Sequence, residues 1–170
     1  ISRGLVGSEM CIRDSGNPLA HTMSSSKIER IILNDRPASE LLLHGTIASK
    51  YHVPLVFVSG DFGICKEIRK INPLTITHCT MHGVGDSTIS MQPELSIMQI
   101  KKKVEKALKL DMKLCTWAHP NKFKLKIRYM KHVDAYKASQ YPNAIMLNAK
   151  SVIYESKDFD DIMRFILFCV

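Results

Sequence analysis

Apolar positions after residue 16 fall into short blocks that alternate between two periods. Residues 27–33 (KIERIIL) bring Ile28, Ile31 and Leu33 into a short apolar stretch, which predicts a strand closed by the turn residues Asn34, Asp35, Arg36 and Pro37. Pro37 and Ser39 then open a helix whose apolar residues Leu41, Leu42, Ile47 and Ala48 form one stripe, ending near Tyr51. The continuous β-branched and aromatic run at 53–58 (VPLVFV) predicts a strand buried on both faces, and it ends in Ser59, Gly60 and Asp61. A helix at 62–71, a strand at 74–80 and a glycine-rich loop at Gly83 and Gly85 follow. Pro93 then opens the longest helix, with Leu95, Ile97, Met98, Ile100, Val104 and Leu108 as its apolar positions.

The pattern weakens at 115–120, which reads as a linker. Beyond it, residues 123–129 (FKLKIRY) alternate without a fault, as a half-exposed strand does. A helix at 131–140, a strand around 152–155 and a closing helix at 158–168 complete the chain, with no internal repeat. Strand followed by helix, repeated, predicts an α/β fold. The expected form is a layered sheet of mostly parallel strands with flanking helices over 16–114, and a smaller C-terminal α/β subregion over 121–170. Residues 1–15 (ISRGLVGSEMCIRDS) follow neither period and look like translated sequencing adapter. They are expected to be a non-native or disordered segment with few contacts to the rest.

Composition agrees with a globular domain: 45% of the 170 residues are hydrophobic and 24% charged, enough to build a core and too apolar for a disordered chain. The formal charge of +8 raises the question of an anionic partner. The basic residues are dispersed, however. The densest run, Lys101 to Lys103 with Lys106 and Lys109, lies in a helical pattern without interleaved aromatic residues and reads as a solvated face. No nucleic-acid partner is expected. Five cysteines, widely spaced and without a C-x-x-C pair, point to reduced thiols and a cytoplasmic protein. The last apolar run is too short to span a bilayer, and no signal peptide is evident, so no membrane partner is expected.

Chemistry concentrates in two segments, GNPLAHTMS at 16–24 and LNDRPASELLL at 33–43. His21 stands in a Gly/Pro/Ser-rich loop, where an imidazole of near-neutral pKa suits proton transfer or metal binding. Glu40 falls in the first turn of a helix, where a favourable helix dipole, capping and metal ligation all account for a carboxylate. His44, four residues on, shares its helix face, but two groups fall short of the three or so that catalytic zinc takes. Asp61 lies at the end of a buried strand, where open α/β sheets bind ligands and where a helix cap is also expected. The Gly83 and Gly85 loop lacks the spacing and the lysine of a phosphate-binding loop. The histidines at 52, 78, 82, 119 and 132 are scattered and read as surface or core residues.

The order of five segments carries a resemblance. GNPLAHTMS, LNDRPASE, VPLVFVSGD, HGVGDSTIS leading into PELS, and IRYMKHVDAYKASQYPNA together resemble the DppA-type zinc D-aminopeptidases, peptidase family M55, over residues 16–170. The resemblance implies an enzyme that releases N-terminal D-amino acids from short peptides. It implies a site of two zinc ions held by an N-terminal Asp-x-Glu, two further histidines and one glutamate that matches Glu40. The histidine matching His21 is implied to be the catalytic nucleophile or base. A homo-oligomer is implied as well.

The sequence departs from the family pattern in places. The Asp-x-Glu and the two metal-binding histidines have no counterpart before Gly16, so the chain is expected to be a C-terminal fragment lacking on the order of a hundred residues. As such a fragment it is expected to be inactive and not to retain zinc. His44, Met81 and Asp86 stand at or near positions where the family carries a small polar residue, a lysine and an arginine. Two other readings are a non-catalytic α/β binding module and a related metal-dependent amidase with a different substrate.

Overall fold

A computed structural model describes residues 5–9, as backbone, and 26–170. The chain divides into two compact units, each discontinuous in sequence. One holds the strand at 5–9 with Leu41–His119, and the other holds residues 26–40 with Pro120–Val170.

The first unit is built on strand β4 (Leu55–Asp61), all seven residues of which are buried. β1 (Leu5–Glu9) and β5 (Ile76–Val84) run parallel to β4 on either side of it, and β6 (Ser87–Ser90) returns antiparallel along β5, giving the order β1-β4-β5-β6. Helices α2 (Phe62–Ile71) and α3 (Pro93–Ala107) both pack on β4 and β5. Val56, Phe57, Ala107 and Cys115 form a core cluster, with Ile100, Val104 and Met112 against it. A strand covered in this way needs an uninterrupted apolar sequence, and VFV at its centre supplies one.

The second unit is a five-stranded sheet, antiparallel throughout, in the order β3-β2-β7-β9-β8. β2 is Ile28–Leu33, β3 Arg36–Pro37, β7 Phe123–Tyr129, β8 Ile145–Asn148 and β9 Ser151–Ser156. β7 buries Phe123, Leu125, Ile127 and Tyr129 and exposes Lys124, Lys126 and Arg128. The helices α4 (His132–Ser139) and α5 (Phe159–Cys169) cover the buried side. Phe165 stacks on Tyr154 at 4.7 Å between ring centroids, Phe159 meets Phe123 at 4.9 Å, and the Tyr129 hydroxyl donates to the Cys169 carbonyl at 3.0 Å. Asp158 caps α5 by accepting from the Asp160 amide.

Several expectations need correction. The α/β class and the flanking helices hold, but the strands are not mostly parallel: two pairings are parallel, in the first unit, and the second sheet has none. β2 does not extend the parallel sheet. It pairs with β7, and a register shift between Ile28 and Arg30 breaks the alternation that would have marked a one-sided strand. Gly83 and Gly85 belong to a β5–β6 hairpin rather than a loop, with Gly85 at a φ of 58° in the turn. β8 escapes sequence reading because all four of its residues are exposed at a sheet edge and show no period. The segment at 115–120 contains the boundary between the two units, at His119 and Pro120, although Cys115 and Trp117 before it are buried in the first unit. Finally, the segment at 1–15 contains a regular element. Leu5–Glu9 pairs along β4, against the expectation of few contacts, because a parallel edge strand is recruited by the backbone ladder and needs no periodicity of its own.

Candidate active site

Glu40 is placed by the hairpin before it. Asn34 and Asp35 adopt φ of 47° and 64°, the left-handed pair of a two-residue hairpin turn. Asn34 also ties the turn to β7: its Oδ1 accepts from the Lys124 amide at 2.7 Å and its amide group donates to the Lys122 carbonyl at 3.2 Å. The short return strand β3 ends at Pro37, the Ala38 amide donates to the Ile31 carbonyl at 2.9 Å, and helix α1 (Glu40–Lys50) begins two residues later. Glu40 is thus the first residue of α1, half-buried, and Leu41, Leu42 and Leu43 behind it are buried.

α1 is anchored within the first unit further along. Ser49 Oγ donates to the Trp117 carbonyl, the Thr46 carbonyl lies 2.9 Å from His119 Nε2, and Gly45 lies against the Trp117 ring, where a Cβ would overlap Cη2 and Cζ3. His44 is exposed, one turn on from Glu40 on the same helix face. His21 lies outside the described residues.

The other sequence candidates resolve toward structure. Asp61 is 1% exposed, and its Oδ1 accepts from the Ile64 amide at 2.9 Å, so it caps α2. Burial, with Cys79 as the next influence, pushes the Cys65 thiol up to about 11, which keeps it protonated at neutral pH. His78 is a core residue 3.2 Å from the Ser96 hydroxyl, and burial, followed by the Lys103 ammonium, lowers its pKa and leaves it neutral. His52, His82 and His132 are exposed. The lysine run of α3 is mostly a solvated face, although Lys103 turns inward to donate to the Thr77 carbonyl at 2.9 Å.

Among the described residues no three His, Cys, Asp or Glu side chains converge as metal ligands. Glu40 and His44 are two donors at most, so the described residues do not on their own fit a zinc site. No helix among them is long and apolar enough to cross a membrane.

Comparison with known proteins bears on what the half-buried Glu40 is for. A family model for D-aminopeptidases, peptidase family M55, matches residues 5–168, and so takes in β1 upstream of Gly16. A D-aminopeptidase of Bacillus subtilis (strain 168) is 25% identical over 142 residues, which are 82% of this chain and 52% of that protein. Among solved structures, the Zn-dependent D-aminopeptidase DppA from Bacillus subtilis, described as a self-compartmentalizing protease, superposes with a TM-score of 0.85 at 23% identity. That match covers 98% of this chain and 62% of the other, and it establishes the two-sheet fold. The chain therefore spans between half and two thirds of the relatives it matches.

Proposed function

The chain belongs to the M55 family of D-aminopeptidases, and from that premise we propose that it forms part of a zinc-dependent aminopeptidase that hydrolyses N-terminal D-amino acids from short peptides. The family match across residues 5–168 is the observation that carries this reading. Glu40 supplies one carboxylate ligand, and the other ligands come from outside the described residues. Its position fits that role, since it opens a helix whose next turn is locked by three buried leucines, so the carboxylate is held on a rigid element. His21 takes and returns the proton during attack on the peptide. Zinc held there by Glu40, together with ligands from outside the described residues, would supply Lewis-acid polarisation of the peptide carbonyl.

Glu40 by itself would not hold zinc, because one ligand does not make a site. The working form is a cytoplasmic homo-oligomer, in keeping with the self-compartmentalizing relative.

The test uses the longest chain that the gene encodes, loaded with zinc and assayed with D-alanyl-p-nitroanilide and its L-isomer. The D-isomer should be cleaved faster. Glu40→Ala should lower kcat/KM by about a hundredfold or more together with zinc content, more than loss of a group that merely supports a ligand. His21→Ala should lower kcat while zinc is retained. Preference for the L-isomer, or full zinc content in Glu40→Ala, would refute the assignment.

A further inference from the structure

Strand β5 presents alternate residues to the two helices packed on it. Thr77 faces α2, where its hydroxyl accepts from Arg69 Nε at 3.0 Å. Ile76 faces the other way and joins Ile100 and Val104 of α3 against the core cluster that contains Phe57. His78 follows on that face and is 1% exposed, so an imidazole fills a position that packing would give to an apolar side chain. Its Nε2 lies 3.2 Å from the hydroxyl of Ser96 on α3, and Ser96 is itself buried. Two turns further along the same helix face, Lys103 reaches back to donate to the Thr77 carbonyl at 2.9 Å. α3 buries few residues of its own, Ser96 and Ala107, so these two polar contacts matter more to its docking than they would in a deeply packed helix.

The arrangement suits a neutral ring. A protonated imidazole donates from both nitrogens, and among the described residues the bond of His78 is made through Nε2, which leaves the second N–H without an acceptor there. Protonation also sets a second cation beside the Lys103 ammonium in a seam closed to water. Among the described residues no carboxylate offsets it. Ser59, opposite His78 in the β4–β5 ladder, is uncharged, and Asp61 at the end of β4 caps α2. The acidic residues of α3, Glu94 and Glu105, are exposed, as are its lysines other than Lys103 and as is His82 on β5. The charges of α2 lie on the far face of the sheet, where Arg69 meets Thr77. Burial, and after it the Lys103 charge, accordingly lower the pKa of His78 from its ordinary 6.5. A base whose pKa falls on folding leaves stability intact above 6.5. Stability is then lost as the pH drops from 6.5 toward the folded value, because the unfolded chain takes up the proton first.

We propose that His78 is an acid-sensitive latch, whose protonation frees α3 from β5 and uncovers Ile76 and Phe57 beneath the helix while β4, β5 and α2 stay together. The opening is local because the penalty falls on one seam between a helix and a strand. The parallel β4–β5 ladder does not run through α3, and α2 keeps its own contacts on the other face.

The test is hydrogen exchange of the 170-residue chain followed by mass spectrometry, from about pH 7.5 to about pH 5 and corrected for the intrinsic pH dependence of amide exchange. Peptides from α3 should lose about tenfold in protection in acid, while peptides from β4 keep theirs. His78→Gln, with its fold checked by circular dichroism at neutral pH, retains a neutral hydrogen-bonding side chain and should abolish the acid loss. His82→Gln, at an exposed histidine of the same strand, should leave that loss in place. Should His78→Gln fail to fold, Lys103→Met gives an independent answer, since α3 should open at a lower pH once the like charge is gone. The latch is overturned by full protection of α3 at about pH 5, by an equal loss in α3 and β4, or by an acid loss that survives in His78→Gln or disappears in His82→Gln. An opening no lower in pH in Lys103→Met overturns it as well.

Discussion

Strand β4 buries all seven of its residues, whereas β7 buries every second one, and most differences between the two units follow from that contrast. β4 has parallel neighbours on both sides and two helices packed on it, so no position along it can be polar without a partner. Ser59 and Asp61, its buried polar residues, lie at its carboxyl end, and Asp61 caps the next helix. β7 has antiparallel neighbours and helices on one side only, so its other side is free to collect Lys124, Lys126 and Arg128. A sheet covered on both faces spends its sequence on packing and keeps chemistry for its ends. A sheet covered on one face can carry chemistry along its whole length.

The most forceful way to break this comparison is to treat the two strands alike. Phe57→Ala removes a fully buried ring from the β4 cluster and should cost about 3–5 kcal/mol. Lys124→Ala on the open face of β7 should change stability by no more than about 0.5 kcal/mol. Urea denaturation followed by circular dichroism measures both, and similar losses would mean that the open face of β7 is packed rather than solvated.

A smaller effect is expected at Gly45, where the helix α1 and the segment at 115–119 meet inside the first unit. Gly45→Ala places a Cβ into the Trp117 ring, and overpacking of this kind costs about 1–3 kcal/mol. Better helix propensity returns about 1 kcal/mol of it, so the net loss should be about 0–2 kcal/mol. Trp117 is the single tryptophan of the chain, so its emission reports the displacement directly. An unchanged spectrum together with raised stability would show that the ring yields freely.

The same contrast explains how much could be read from the sequence. β7 was legible because its alternation records a one-sided environment, and β4 because its unbroken VFV records a two-sided one. α3 was legible from Pro93 at its first turn, with Gln92 as the cap. Pairing direction was not legible, since strand–helix alternation says nothing of which strand a segment meets, and β2 crosses to β7, far along the chain, where Ile31 meets Ile127. β8 and the 115–119 segment were missed for opposite reasons: the first is exposed at every position, and the second is anchored by isolated contacts, such as the bond from Ser49 to the Trp117 carbonyl, that have no period. In the candidate site, the place of Glu40 at the head of a helix was legible, but its role was not, because a lone carboxylate in a first turn looks the same whether it favours the helix dipole or waits for a metal.

The smallest effect sharpens the comparison at the open face itself. The hydrogen bond from Arg128, and after it the charges of Arg128, Lys150 and Arg30, hold the Glu29 carboxyl below its ordinary value of 4.5 against a lesser opposing effect of burial. A carboxyl whose pKa is depressed on folding contributes stability that is present in full above 4.5 and is lost as the pH falls through the folded value. Glu29→Gln should therefore melt slightly below the natural chain at neutral pH. The gap should close as the pH is lowered past 4.5, and it should also shrink at about 1 M salt, where an exposed pair is screened. A thermal gap that persists in acid would trace the loss to packing instead of charge.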